Sequence, residues 1–337
     1  MVALDVIRAH NATLRSLPPG LVAVFVGGTS GIGYSTAREL VRHTTDPHVY
    51  LVGRSQEEAS RIIAELKEIN ATSRTSFIKS DVSLLKSVDE VCKEIKEKEK
   101  KVNLLFMTAG YTTMAGRQET IEGLDKKFAL HYYARMRFVQ NLSPLLATAG
   151  NDSDQSARLS RVVSVLDSRV SSAPDFSDLS LKRTFSLKNC AKHATAMNNF
   201  ALEHFARQQP STAFVHAFPF MVSTGTGREL KGIAGGIFKV MSPLMKPFAV
   251  DLKESGERHL YASTVPHFAS KDGAADVATL AMGMDGVKGS GAYALNWDGE
   301  IVDNAKLGPV RAQGAERKIW DHTEEVFKTI CQEDKKY

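Results

Sequence analysis

The chain has 337 residues, 43% of them apolar and 24% charged, with a formal net charge of +5; this is an ordinary globular composition, long enough for one large α/β domain or two small ones. Lys and Arg are interleaved with Asp and Glu, which argues against a nucleic-acid groove and leaves an excess that a small anionic ligand would use. No run of about 18 apolar residues occurs, so no membrane span is expected, and the three separated cysteines, Cys92, Cys190 and Cys331, are expected as free thiols in a reducing cytoplasm.

The first 20 residues predict a short polar helix that ends at Pro18-Pro19, an N-terminal extension rather than a secretory segment. From residue 21 onward, apolar runs alternate with amphipathic patterns. Strands are expected at 21–28, 48–55, 74–82, 102–110, 160–167 and 212–219. Helices are expected at 33–44, 57–70, 85–101, roughly 119–148, and 187–208. Continuous β-branched and aromatic strands between such helices imply a parallel sheet buried on both faces, hence a doubly wound α/β (Rossmann) fold. The expected organisation is one domain over 21–310 and a closing helix in 311–337.

"VFVGGTSGIGYSTAREL" sets Gly27, Gly31 and Gly33 in a strand–turn–helix context. Missing side chains let backbone approach a pyrophosphate, and a helix N-terminus offers unpaired N–H groups to it. Thr29, Ser30 and Ile32 complete the expected phosphate loop. About 20 positions on, where an NAD site keeps an acidic residue, stand Gly53, Arg54 and Ser55. A guanidinium and a hydroxyl suit a 2′-phosphate that a carboxylate would repel, so the expected cofactor is NADP(H).

These residues resemble the short-chain dehydrogenase/reductase family. "GGTSGIG" is similar to its Gly-x-x-x-Gly-x-Gly turn, and Asp81-Val82 to its adenine-binding Asp-Val pair. Thr108-Ala109-Gly110 resembles its Asn-Ala-Gly turn with Thr for Asn. "HAFPFMVST" resembles its Pro-Gly segment and following Thr, at Pro219 and Thr224, with Phe220 in place of Gly. The resemblance implies a catalytic Tyr and Lys four residues apart on one helix, a Ser, and an Asn on the preceding long helix. None is found.

In "LKNCAKHATAMNNFALEHFARQ", aligned without a gap to the retinol-dehydrogenase-like branch, the Tyr position falls on Ala191 and the Lys position on Thr195. A looser register gives Phe185 and Asn189, again without phenol or amine. No Tyr in the chain has a Lys four positions on; Tyr34, Tyr50 and Tyr133 meet Arg38, Arg54 and Arg137, the last read as an exposed pair. The Ser position falls on or near Asp167, with Ser168 adjacent, and the Asn position near His131.

Asp167, His131 and His193 form a candidate acid/base set, because buried carboxylates rise in pKa and His titrates near neutrality. Against it stand a capping role for Asp167, a core role for His131 and a polar-face role for His193; His216 reads as structural. In the family resembled, the apolar segment 232–250, with Phe238, Met241, Met245 and Phe248, would lie in a substrate lid spanning roughly 225–262. It suits a hydrophobic partner of moderate size, and the resemblance admits a homo-oligomer. No metal-ligand pattern stands out. Three functions remain open: an NADP(H)-dependent oxidoreductase with an altered proton donor, a non-redox cyclase, isomerase or dehydratase, and a cofactor-binding regulatory protein without turnover.

Overall fold

The structure, a computed structural model, describes residues 1–110, 113–170, 172–222, 249–274 and 276–337. Its frame is a seven-stranded parallel sheet in the order β3-β2-β1-β4-β5-β6-β7. The strands are β1 (Val22–Val26), β2 (His48–Gly53), β3 (Arg74–Lys79), β4 (Leu104–Met107), β5 (Arg161–Val165), β6 (Ala213–Ala217) and β7 (Ala292–Leu295). All residues of β1, β4, β5, β6 and β7 are buried, as expected where helices cover both faces.

The helices are α1 (Leu4–Thr13), α2 (Gly31–His43), α3 (Gln56–Ile69), α4 (Leu85–Lys98), α5 (Lys126–Phe128), α6 (Ala134–Gly150), α7 (Leu187–Gln208), α8 (Leu252–Thr264), α9 (Gly308–Ala312) and α10 (Ala315–Phe327). One apolar layer gathers Val24, Tyr50, Leu105, Val162 and Phe214 from the sheet with α4, α6, α7 and α10. The other gathers Phe25, Leu51, Phe106, Val163 and Val215 with α2 and α8. Alternate residues of each strand thus serve opposite faces. Chain order reverses between β1 and β4, which opens a crevice at the carboxyl ends of those strands, the usual ligand position in such sheets.

Four expectations change. The helix expected from 119 begins at Lys126: Glu119 and Asp125 form an isolated bridge, and Asp125 caps α5 by accepting from the Phe128 N–H at 2.9 Å. Between α5 and α6, Ala129–Tyr133 is π-helical, a form that often marks a functional site. β7 was not expected, because "AYAL" is short and embedded among glycines.

α8 overlaps the expected lid. It packs on α2 instead, where the Ser35 hydroxyl donates to the Leu252 carbonyl at 2.8 Å and Leu260 is buried in the core. The lid segment with Phe238, Met241, Met245 and Phe248 lies outside the described residues. Finally, Tyr133 is buried and not in an exposed pair. Its hydroxyl meets His322 Nε2 at 2.9 Å, while Arg137 binds Asp89 at 2.6 and 2.7 Å. Among the described residues no helix is long and apolar enough to cross a membrane.

Candidate functional site

At the carboxyl ends of β1 and β4 the backbone closes on itself with no room for side chains. Gly27 has φ 91°, a conformation that costs an L-residue energy. A Cβ there would stand 2.7 Å from both the Ala109 nitrogen and Thr108 Oγ1. At Gly33 it would stand 2.5 Å from the Gly27 carbonyl oxygen and 2.7 Å from Thr108 Oγ1. The Thr108 hydroxyl lies 3.3 Å from that carbonyl. Thr, where the resemblance expects Asn, therefore locks the turn to β4.

Ser30 is the extended N-cap of α2, yet its hydroxyl makes no capping bond. Gly31, Ile32 and Gly33 open the helix with amides available to an anion. Thr29 fills the space above Gly53, where a Cβ would lie 2.7 Å from Thr29 Oγ1.

The rim continues over β2 and β3. Arg54 is exposed at the end of β2. Ser55 caps α3 by accepting from the Glu58 N–H at 3.2 Å, which leaves its own O–H to donate. Asp81 accepts from the Ser83 N–H at 3.1 Å and hydroxyl at 2.8 Å. Burial pushes its pKa up, but those bonds, with Lys126 and Arg54, hold it below the ordinary carboxylate value. Val82 is buried beside it.

The other half of the crevice, over β4, β5 and β6, differs from the expected acid/base set. In α7, capped by Ser186, Ala191 is exposed and Thr195 buried. In the looser register, the Asn189 amide donates to the Thr184 carbonyl at 2.7 Å and Phe185 packs on the core. His131, in the π-helical stretch, is at the crevice: its Nε2 lies 3.4 Å from where a Gly110 Cβ would stand. Its carbonyl accepts from Asn198 Nδ2 at 2.8 Å. Burial, then Arg135 and Lys127, hold its pKa well below the ordinary value, so this imidazole is neutral at pH 7.

The remaining candidates are engaged elsewhere. Asp167, 43% exposed, accepts a bidentate pair from Arg169 at 2.9 and 3.0 Å. It is a solvated ion pair and not a desolvated acid. Ser168 is fully buried and donates to the Leu295 carbonyl at 2.8 Å, tying β5's end to β7. His193 Nε2 accepts from the Asp175 N–H at 2.9 Å, and its ring packs on Phe128; it fastens the 175–179 loop. Asp167 and His193 are thus held by partners outside the expected acid/base set, and of its three members only His131 stands at the crevice beside Gly110.

Pro219 follows β6 as expected, and Phe220 keeps a left-handed φ of 57° although it stands where the resemblance expects Gly. Its ring lies between Phe218 and Trp297, at centroid separations of 6.1 and 5.6 Å. Thr224 lies outside the described residues. Among the described residues no cluster of His, Cys, Asp or Glu could hold a metal ion.

Sequence reasoning missed one buried group, Arg135, and, at His216, which it read as structural, the unpaired ring nitrogen. Arg135 donates from Nε to the Leu130 carbonyl at 3.1 Å, from Nη1 to Ser164 Oγ at 2.8 Å and the Val165 carbonyl at 2.9 Å, and from Nη2 to the Ala109 carbonyl at 3.0 Å. The signal was present, since Arg135 shares the apolar phase of Tyr132, Val139 and Leu142. His216, fully buried, meets Asn199 Oδ1 at 2.5 Å, while its Nε2 has no partner among the described residues. Burial, then Arg135, pull its pKa to about 3.

Comparison with known proteins agrees with this frame. Residues 21–165 match the short chain dehydrogenase family. Oxidoreductase AN1596 of Emericella nidulans is 42% identical over 336 residues, covering 97% of this chain and 98% of that one. Short-chain dehydrogenase/reductase SAT2 of Stachybotrys chartarum is 28% identical over 364 residues, covering 99% of each. Among solved structures, NADPH-bound carbonyl reductase from chicken fatty liver superposes with a TM-score of 0.55 at 16% identity, covering 85% of this chain and all of that one; at that identity the likeness concerns the fold.

Proposed function

The chain belongs to the short-chain dehydrogenase/reductase family, and from that premise we propose that it is an NADP(H)-dependent oxidoreductase for a hydrophobic carbonyl or alcohol compound, with water in place of the usual tyrosine as proton source. The observation that carries the nucleotide half is the cradle at Gly27 and Gly33, which any Cβ would fill. The N–H groups of α2 would take the pyrophosphate, Asp81 and Val82 would border the adenine, and Arg54 with Ser55 would hold the 2′-phosphate. Ala109, Gly110 and Pro219 would border the nicotinamide.

The nucleotide supplies the hydride when bound, so the protein's task is orientation and electrostatics. His131, neutral and beside Gly110, cannot act as an imidazolium acid at pH 7. It could hold a water by one hydrogen bond; that water would give a proton to the alkoxide oxygen left by reduction, and the hydroxide so formed would take a proton back from solvent. A missing positioned acid slows such a step by roughly 10²–10⁴-fold, so turnover is expected to be slow.

The test is to incubate the full chain with NADPH and hydrophobic ketones, following absorbance and product mass. The reading requires stoichiometric NADPH loss and alcohol formation; product without NADPH consumption overturns it. One observation favours a second reading, a nucleotide-binding regulatory protein: α7 offers neither phenol nor amine at Ala191 and Thr195. Tight NADPH binding with no turnover across the substrate panel would select it.

A further inference from the structure

Arg135 is 3% exposed, and its four hydrogen bonds go to three backbone carbonyls and one hydroxyl. None is a carboxylate. A guanidinium keeps its proton even when desolvated; burial lowers its pKa only to about 9. The charge is therefore retained at neutral pH and is neutralised by none of its bonded partners. Burying it is costly, which makes its position informative.

That position is defined by two bonds. Ala109 and Val165 follow or end the adjacent strands β4 and β5, and both give their carbonyls to Arg135. The dinucleotide crosses the crevice at the switch point between β1 and β4. Arg54 and Asp81 place its adenosine half over β2 and β3, so its nicotinamide half extends over β4 and β5. Arg135 lies beneath that second half.

The two oxidation states differ in charge at the ring: NADP⁺ carries a positive nicotinamide, NADPH a neutral one. We propose that Arg135 is a fixed buried cation under the nicotinamide end that disfavours the oxidised ring, so that the protein holds NADPH more tightly than NADP⁺. This rests on the NADP(H) reading given above. The expected preference is about tenfold, the order that repulsion between two unit charges gives across a desolvated crevice at an effective dielectric constant of about 20. The same residue supplies, from α6, a positive charge that Thr195 no longer offers from α7.

The ratio of the two dissociation constants isolates the effect, because phosphate and adenosine contacts are common to both nucleotides and cancel. Calorimetric titration of the full chain with NADPH and with NADP⁺ is expected to give a ratio near ten. Arg135→Gln removes the charge and is expected to bring the ratio close to one. If it does not fold, Ser164→Asp, which sets a carboxylate against Nη1 and keeps the guanidinium, is expected to do the same. Arg135→Lys keeps the charge and should keep most of the preference. A ratio near one in the unaltered protein, or a ratio unchanged in a folded charge-neutralised variant, overturns the inference while leaving the cofactor reading intact. Failure of the unaltered protein to bind either nucleotide overturns both.

Discussion

Over β1 to β3 the crevice is shaped by missing side chains: at Gly27 and Gly33 a Cβ would meet backbone at 2.5–2.7 Å, and no alternative residue fits. Over β4 to β6 it is shaped by side chains that have already found partners, with Asp167 on Arg169, Ser168 on Leu295, and Arg135 on three carbonyls. The first region is built from backbone geometry, which tolerates little change. The second depends on side-chain identity, which can change while the fold persists. A chain can thus keep a nucleotide cradle while its proton chemistry is rebuilt or lost.

Stability against acid gives the largest test of the second region. His216 and His259 are buried, and burial lowers their pKa values to about 3 and about 4. The unfolded chain protonates both near 6.5 while the folded one does not, so it binds more protons and stability falls as pH drops below that value. Between pH 7 and 5 the two together are expected to remove about 4 kcal/mol, read by denaturant titration. A flat profile would mean that they are not held neutral.

Gly33→Ala tests the first region. Its Cβ meets the Gly27 carbonyl at 2.5 Å, which backbone cannot easily yield. NADPH affinity should fall by about 100-fold, some 3 kcal/mol of lost binding, with a lowered Tm. Unchanged affinity would move the phosphate site elsewhere.

Ala191→Tyr with Thr195→Lys asks whether the second region lacks only its pair. About a 100-fold gain in ketone reduction is expected, within the usual range for a positioned acid. No gain with NADPH still bound would place the deficit deeper, at His131 or Asp167. Arg54→Asp should weaken NADPH by roughly tenfold to thirtyfold and leave NADH little changed, since only the former presents a 2′-phosphate. Equal losses for both would remove Arg54 from cofactor choice. The smallest effect belongs to Asp167→Asn: exposed ion pairs contribute about 1 kcal/mol or less, so turnover should change less than about fivefold. A large loss would return Asp167 to the catalytic set.

Periodicity made six strands and the main helices legible, with boundaries shifted by a few residues. β7 escaped because four residues carry little pattern; it exists by pairing with β6, with Phe214 opposite Ala292 and His216 opposite Ala294. α8 lay inside the bounds of an expected lid, and its buried Ser255, Glu257 and His259 interrupt the apolar stripe by which a packed helix shows in sequence. At the site, Asp167, His131 and His193 were grouped by residue type. Residue type says nothing of which partner is nearer, and here Arg169 was nearer to Asp167 and the Asp175 amide to His193.

The glycines, the alternation of strand and helix, and the absent Tyr and Lys could be read directly, since each is a matter of residue type at a spacing along one chain. The contacts that decide the catalytic end join residues far apart in sequence: Arg135 with Val165, Ser168 with Leu295, and Asn198 with the His131 carbonyl. Whether an ionisable side chain is an acid, a neutral strut or a buried charge depends on its desolvation and on the groups that fill its hydrogen bonds. Those are properties of the packed molecule, and they exist only once the strands have met.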